Sequence, residues 1–138
     1  MDFQALDCTN HIGGSSIELE LPYNPVYVSS ARLTASSIAT HMGFDIEKIE
    51  EIESAISTAC TYFIDSYHPS KENFPMFTIE FHVQEKELEI FISSNLLPYP
   101  YESNITSDMT MITNLMDDVQ LQQQDTKFQI QMSKKLSF

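Results

Sequence analysis

The sequence predicts one α/β domain with the element order β-α-α-β-β-α-β-β, and three observations carry that expectation. Stretches near residues 17–21, 77–83 and 88–92 alternate apolar with polar residues, the period of a half-buried strand. Three further stretches repeat apolar residues at helical spacing. With 138 residues, 42% of them hydrophobic, there is chain enough for one packed core.

Residues 1–16 read as a flexible N-terminal arm with a turn at Gly13 and Gly14, and residues 17–138 as the folded domain. Ile17, Leu19 and Leu21 alternate with Glu18 and Glu20, a strand with one wet face. Asn24 is a good N-cap and Pro25 suits the first helical position, so a helix is expected from there to Met42, stopped by Gly43 at C′. Its inward stripe is Val28, Ala31, Ala35, Ile38, Ala39 and Met42, mostly small residues that let a neighbour approach closely.

Asp45 caps a second helix, with Phe44 stapled onto Ile49. Glu47, Glu50, Glu51 and Glu53 crowd its N-terminal half, where the helix dipole favours them. Ile49, Ile52, Ile56, Cys60, Phe63 and Ile64 form its buried stripe, ending near Tyr67. After a loop around Pro69, Ser70 and Asn73 come two strands in hairpin register, Phe77–Val83 and Leu88–Ile92. Residues 93–106, with Pro98 and Pro100, read as a loop. A third helix is expected from about Ser107 to Asp118, with Met109, Ile112, Leu115, Met116 and Val119 inward. A last hairpin follows, Val119–Gln123 and Phe128 to about Leu136, turning near Asp125.

Composition excludes several functions. A net charge of −13 argues against nucleic acid, whose phosphates need clustered Lys and Arg. The same acidity serves solubility, or steers the chain toward a basic protein partner. No run of 18 apolar residues exists to cross a membrane, and Met1, Asp2 and Phe3 do not begin a signal peptide. Cys8 and Cys60 have neither disulfide-framework nor zinc spacing, so a cytoplasmic protein with reduced thiols is expected. His11, His41, His68 and His82 share no ligand spacing, so no metal is expected. Met109, Met111 and Met116 read as helix core and flank.

Several segments in this order resemble the anti-sigma-factor serine kinases of the RsbW type, members of the GHKL (histidine-kinase-like) ATPase superfamily. The run from Val26 to Thr34 resembles the start of their first helix, and Met42-Gly43-Phe44 with Ile49-Glu50-Glu51-Ile52 the junction between helices. Ala55 to Tyr62 resembles their N box, and Leu115 to Val119 the end of their third helix. The likeness spans residues 17–136. It implies a GHKL (Bergerat-type) two-layer sandwich, with three helices on one face of a mixed, mostly antiparallel sheet and ATP held between the layers under a lid. It also implies binding to a sigma factor, phosphorylation of a serine on an anti-anti-sigma protein, and homodimerisation.

The site residues depart from that pattern. The N box supplies a Glu that helps activate the substrate hydroxyl and, four residues later, an Asn that ligates Mg²⁺. The matching positions here are Thr58 and Tyr62. Thr cannot act as a base near neutral pH, and Tyr is a poor ligand for a hard cation. The adenine-binding Asp falls on Ser94, and the glycines of the two following motifs fall on Leu96 and on Thr106 and Asp108. No Gly occurs after Gly43, and no Lys or Arg between Lys86 and Lys127. Phosphate binding therefore lacks both close backbone approach and positive charge. The lid shrinks to the stretch between Ile92 and Ser107, where Tyr99 and Tyr101 either fill the cleft or lie on the surface.

A non-catalytic anti-sigma-like regulator without a cofactor is therefore expected, with no metal, nucleic acid or membrane partner. The alternatives are a divergent serine kinase that still uses ATP and Mg²⁺, and a subunit that pairs with an active homologue. Arg32, the only arginine, matches a docking position of the family, and Leu33 lies beside it on the side away from the core with Val26.

Overall fold

A computed structural model describes residues 14–66, 75–95 and 102–137, with residues 102–106 described by their backbone. Strand β1 (Ser15–Pro22) leads through a 3-10 turn (Pro25–Tyr27) into helices α1 (Val28–Met42) and α2 (Ile46–Ser66). The hairpin β2 (Met76–Val83) and β3 (Glu87–Ser94) precedes helix α3 (Glu102–Leu115), and the hairpin β4 (Asp118–Gln124) and β5 (Lys127–Lys135) follows it. The element order is the expected one.

The sheet runs β1-β2-β3-β5-β4, and every described pairing in it is antiparallel. The expectation of a mixed sheet is corrected here. Strands β3 and β4 do run in the same direction, because one helix connects them. Yet β5 inserts between them and is antiparallel to both, so no parallel ladder forms. The two helices between β1 and β2 return the chain to the end where β1 finished, which makes that pair antiparallel as well.

Several boundaries also move. β1 begins at Ser15, so Ser15 and Ser16 belong to the sheet opposite Val83 and His82 rather than to an arm; residues 1–13 lie outside the described residues. Asn24 does cap, its Oδ1 accepting from the Val26 N–H at 3.0 Å, but the turn that it starts is 3-10 before α1 begins at Val28. Gly43 sits at φ 101°, with its N–H donating to the carbonyls of Ala39 and Thr40 at 3.2 and 3.1 Å.

α3 starts at Glu102, about a turn before Ser107. Pro100 is the last helix breaker in that stretch, and an early Glu suits the positive helix end. It stops at Leu115 rather than Asp118, because the Asp117 N–H is taken by the Ser133 carbonyl at 2.9 Å and draws the chain into β4.

The core lies between the helices and one sheet face. Ala31, Ala35 and Ala39 of α1 are fully buried, as are Ile52, Ala55, Ile56, Ala59 and Cys60 of α2. β2 contributes Phe77, Ile79, Phe81 and Val83, β3 contributes Leu88, Ile90 and Ile92, and β5 contributes Phe128, Ile130 and Met132. Ile38 and Ile64, expected inside, are half-buried and pack against this cluster. The opposite sheet face carries alternate polar residues such as Glu18, Glu80, Glu89, Gln129 and Gln131.

Candidate functional site

The side of α2 that meets α3 gathers the expected site residues. Helical spacing puts Glu51, Thr58, Tyr62 and Asp65 on one side of α2, at intervals of seven, four and three. Thr58 is half-buried, and its hydroxyl donates to the Met111 sulfur of α3 at 3.6 Å. Tyr62 is 5% exposed. Its ring packs at 6.1 Å from Phe63 and 6.0 Å from Phe128, and Phe63 in turn contacts Phe77 at 5.6 Å. One aromatic cluster thus fills the space between α2 and the inner sheet face at this end.

The electrostatics of the corner follow from burial. Burial pushes the Tyr62 phenol up from its ordinary value; the hydrogen bond with Ser66 opposes that and the Asp108 charge adds to it. Asp108 of α3 is raised as well, first by burial and then by the neighbouring Asp65 carboxylate. A second carboxylate makes this corner unfavourable for a further anion. Asp65 and Ser66 belong to it although sequence reasoning passed over them; their spacing from Thr58 and Tyr62 was the available signal.

Ser94 ends β3 buried and shares a short hydrogen bond with the Tyr23 hydroxyl. Tyr23 follows β1 and packs edge-on against Phe77 at 5.2 Å, so it closes the sheet end over Ser94. Leu96, Tyr99 and Tyr101 lie outside the described residues, as does the Thr106 side chain.

Arg32 is half-buried on α1, its Nη1 donating to Ser57 Oγ of α2 at 3.3 Å. It forms no ion pair among the described residues. Its charge reaches Cys60, whose thiol burial pushes up to about 12 while Arg32 only partly offsets the rise. Such a thiol is inert near neutral pH. Leu33 on α1 and Val26 in the 3-10 turn before it are each 69% exposed.

At the other end of the α2–α3 seam lies a residue that sequence reasoning missed. Lys134 of β5 is 5% exposed, and its Nζ donates to Glu51 Oε1 at 2.7 Å and to the Leu115 carbonyl that ends α3. It places a cation at the negative end of α3 and ties three elements together. The signal was its parity with Phe128, Ile130 and Met132, which already points Lys134 to the helix side.

His41 Nδ1 lies 2.9 Å from the Ser37 carbonyl, and His82 pairs with Glu80 at 3.1 Å while stacking on Phe91. Among the described residues no group of three His, Cys, Asp or Glu side chains could hold a metal ion. No described helix is long and apolar enough to cross a membrane.

No protein-family model matches the chain. The serine-protein kinase RsbW of Listeria innocua is 34% identical over 123 residues, covering 76% of this chain and 78% of that protein. Serine-protein kinase RsbW of Bacillus cereus is 32% identical, covering 76% of each. The crystal structure of the RsbU and RsbW domains of Rv1364c from Mycobacterium tuberculosis matches with a TM-score of 0.72 at 10% identity. That match covers 90% of this chain, which spans 33% of the larger protein. The fold is the GHKL-type two-layer sandwich.

Proposed function

The chain belongs to the RsbW serine-protein kinase family, and from that premise we propose that it is a non-catalytic regulator that binds a sigma factor or an anti-anti-sigma protein. The observation that carries the non-catalytic part is Tyr62. It stands where the family resemblance implies a magnesium-ligating Asn, yet its ring is built into the aromatic cluster with Phe63 and Phe128. The other positions agree with this reading. Thr58 is engaged with Met111, Ser94 is buried against Tyr23, and Asp108 sets a carboxylate where a phosphate would need a donor. These residues do not fit Mg²⁺-ATP. The match to the Listeria protein extends over 123 residues but only 76% of a 138-residue chain.

Calorimetry and thermal-shift titration with ATP and Mg²⁺ test this reading. Both should be silent, whereas a ligand at 100 times its Kd would add about 2.7 kcal/mol of stability. A saturable shift with millimolar ATP would overturn it. That outcome would select the competing reading, a divergent serine kinase, which is favoured by the kinase name of the relatives.

Partner binding centres on Arg32 and Leu33 in this proposal. Arg32 uses one donor on Ser57 and retains others for a partner carboxylate, and Leu33 offers exposed apolar surface beside it. Arg32→Ala should weaken binding to the cognate sigma or anti-anti-sigma protein by about thirtyfold, roughly 2 kcal/mol. The cost to folding should stay near 1 kcal/mol, the worth of the Ser57 hydrogen bond. Unchanged affinity would move the interface elsewhere. In the same reading the protein is cytoplasmic and homodimeric.

A further inference from the structure

The only arginine of the chain sits on a helix that carries no acid. α1 contains no Asp or Glu, although the chain has 20 of them and a net charge of −13. The stretch of α2 from Ser54 to Ile64 carries no charged residue either. Arg32 therefore lies in a neutral band of an acidic molecule, and among the described residues it forms no ion pair. What holds it is a hydroxyl, since its Nη1 donates to Ser57 Oγ at 3.3 Å across the α1–α2 seam. Ser57 and Cys60 are one turn apart on α2, and the Arg32 charge is felt at the buried Cys60 thiol. The guanidinium thus rests on the seam instead of swinging free in solvent.

We propose that Ser57 is the positioning residue of the partner site, given the docking role assigned to Arg32 above: it fixes the guanidinium at the surface without neutralising it. The neutrality of the acceptor matters. A carboxylate at this position would hold Arg32 more strongly, but in an ion pair that the partner must break. An alanine would leave a long side chain free to populate many rotamers, which docking must then remove. A serine hydroxyl restricts the side chain and leaves its whole charge for a partner carboxylate. The Ser57 contact uses one donor on Nη1, and the other N–H groups of the rigid fork remain for that carboxylate.

The surroundings suit that task. Ala31 and Ala35, which flank Arg32 on α1, are fully buried, as are Ile56 and Cys60 beside Ser57 on α2. Both helix backbones are therefore pinned by close packing, and the distance between the two side chains is set by the seam rather than by their own bond. Arg32 and Ser57 are each half-buried, so the pair lies at the margin where a partner can reach it. Leu33, next in the chain, is 69% exposed and adds apolar surface beside the charge.

A single arginine makes the test direct, because its Nε–H gives one side-chain resonance in an NMR spectrum. In the free chain, spin relaxation of that resonance should show ordering close to that of the α1 backbone. Ser57→Ala should release it and Ser57→Thr should restore it, with little change in melting temperature. A mobile Nε in the unmodified chain, or one equally ordered in Ser57→Ala, overturns the proposal. The binding arm uses a sigma factor or anti-anti-sigma protein whose affinity falls with Arg32→Ala. Ser57→Ala should weaken that binding by about fivefold, the order of one neutral hydrogen bond, and Ser57→Thr should not. In the Arg32→Ala background, Ser57→Ala should cost nothing further. Ser57→Asp should keep the Nε ordered yet weaken binding more than Ser57→Ala, since the ion pair then forms within the chain. Full affinity in Ser57→Ala, or equal losses with and without Arg32, overturns the positioning role. If no sigma or anti-anti-sigma protein responds to Arg32→Ala, the docking reading itself fails, and this proposal with it, whatever the relaxation shows.

Discussion

Helix α2 packs against a helix on each side, and the two seams are built on opposite principles. Toward α1 the contact is small and dry. Ala31, Ala35 and Ala39 present no side chain beyond a methyl, Cys60 is fully buried, and the one polar contact is Arg32 to Ser57 at the margin. Toward α3 polar contacts recur beside the fully buried Ile112, from Lys134, Glu51 and the Leu115 carbonyl, through Thr58 and the Met111 sulfur, to Tyr62 with Asp65 and Asp108. The first seam fixes the distance between two helices, which shape alone can do. The second joins charges and hydroxyls whose worth depends on their partners. In the proposed reading the positions that match the family's N box, Thr58 and Tyr62, fall on the second seam, while the first seam keeps the fold.

The largest test of that contrast is Glu51→Ala. It leaves the Lys134 charge buried with only a carbonyl for company, and stability should fall by about 3 kcal/mol in urea unfolding. A loss below about 1 kcal/mol would mean that the polar seam is no more than decoration on an apolar core. Next comes the dry seam. Ala35→Leu forces extra methylenes between α1 and its neighbours, and about 2 kcal/mol should be lost, with ligand-independent spectra unchanged. Tolerance of leucine there would show that the alanine stripe does not set the helix spacing.

The smallest effect is expected at Asp108, where the sign is the informative part. Its folded pKa lies above the ordinary 3.8, so its contribution to stability is full below that value and is lost as pH rises through the raised one. Asp108→Asn should therefore remove the fall in stability that Asp108 adds as pH rises through its raised pKa, leave stability at low pH nearly unchanged, and raise the melting temperature at neutral pH. The gain should stay within about 0.5 kcal/mol, as for other part-exposed sites. A lowered melting temperature would assign Asp108 a favourable partner and would break the picture of a crowded acidic corner.

The dry seam was also the legible one. Apolar spacing and the stop at Gly43 give α1 its inward stripe and its end, and strict alternation gives the inner faces of β2 and β3, because burial writes its period directly into composition. The polar seam was legible in parts. The spacing from Thr58 to Tyr62 was readable, but the Thr58 contact comes from α3, whose C-terminal limit carries no glycine or proline signal. Val119 reads both as inward on that helix and as the start of the next strand; the Asp117 N–H held by the Ser133 carbonyl puts it in β4, as the strand reading had it. Lys134 was hidden by its own chemistry, since a lysine at a strand end reads as exposed unless parity is weighed above residue type.

The strand order has a consequence for how the chain matures. β5, the last of the five strands to be synthesised, lies inside the sheet between β3 and β4. While a ribosome still holds residues 127–135, β3 has an open ladder and β4 has no strand to pair with among the described residues. The inner faces of β2 and β3 then wait, with Phe77, Phe81, Leu88, Ile90 and Ile92 only partly covered, for a strand that has not emerged. Domains generally fold as units during synthesis, and here the unit closes only with its C-terminal strand. The nascent chain passes through a sticky, half-built sheet, and a stall in translation before Phe128 would leave a species suited to chaperones rather than to function.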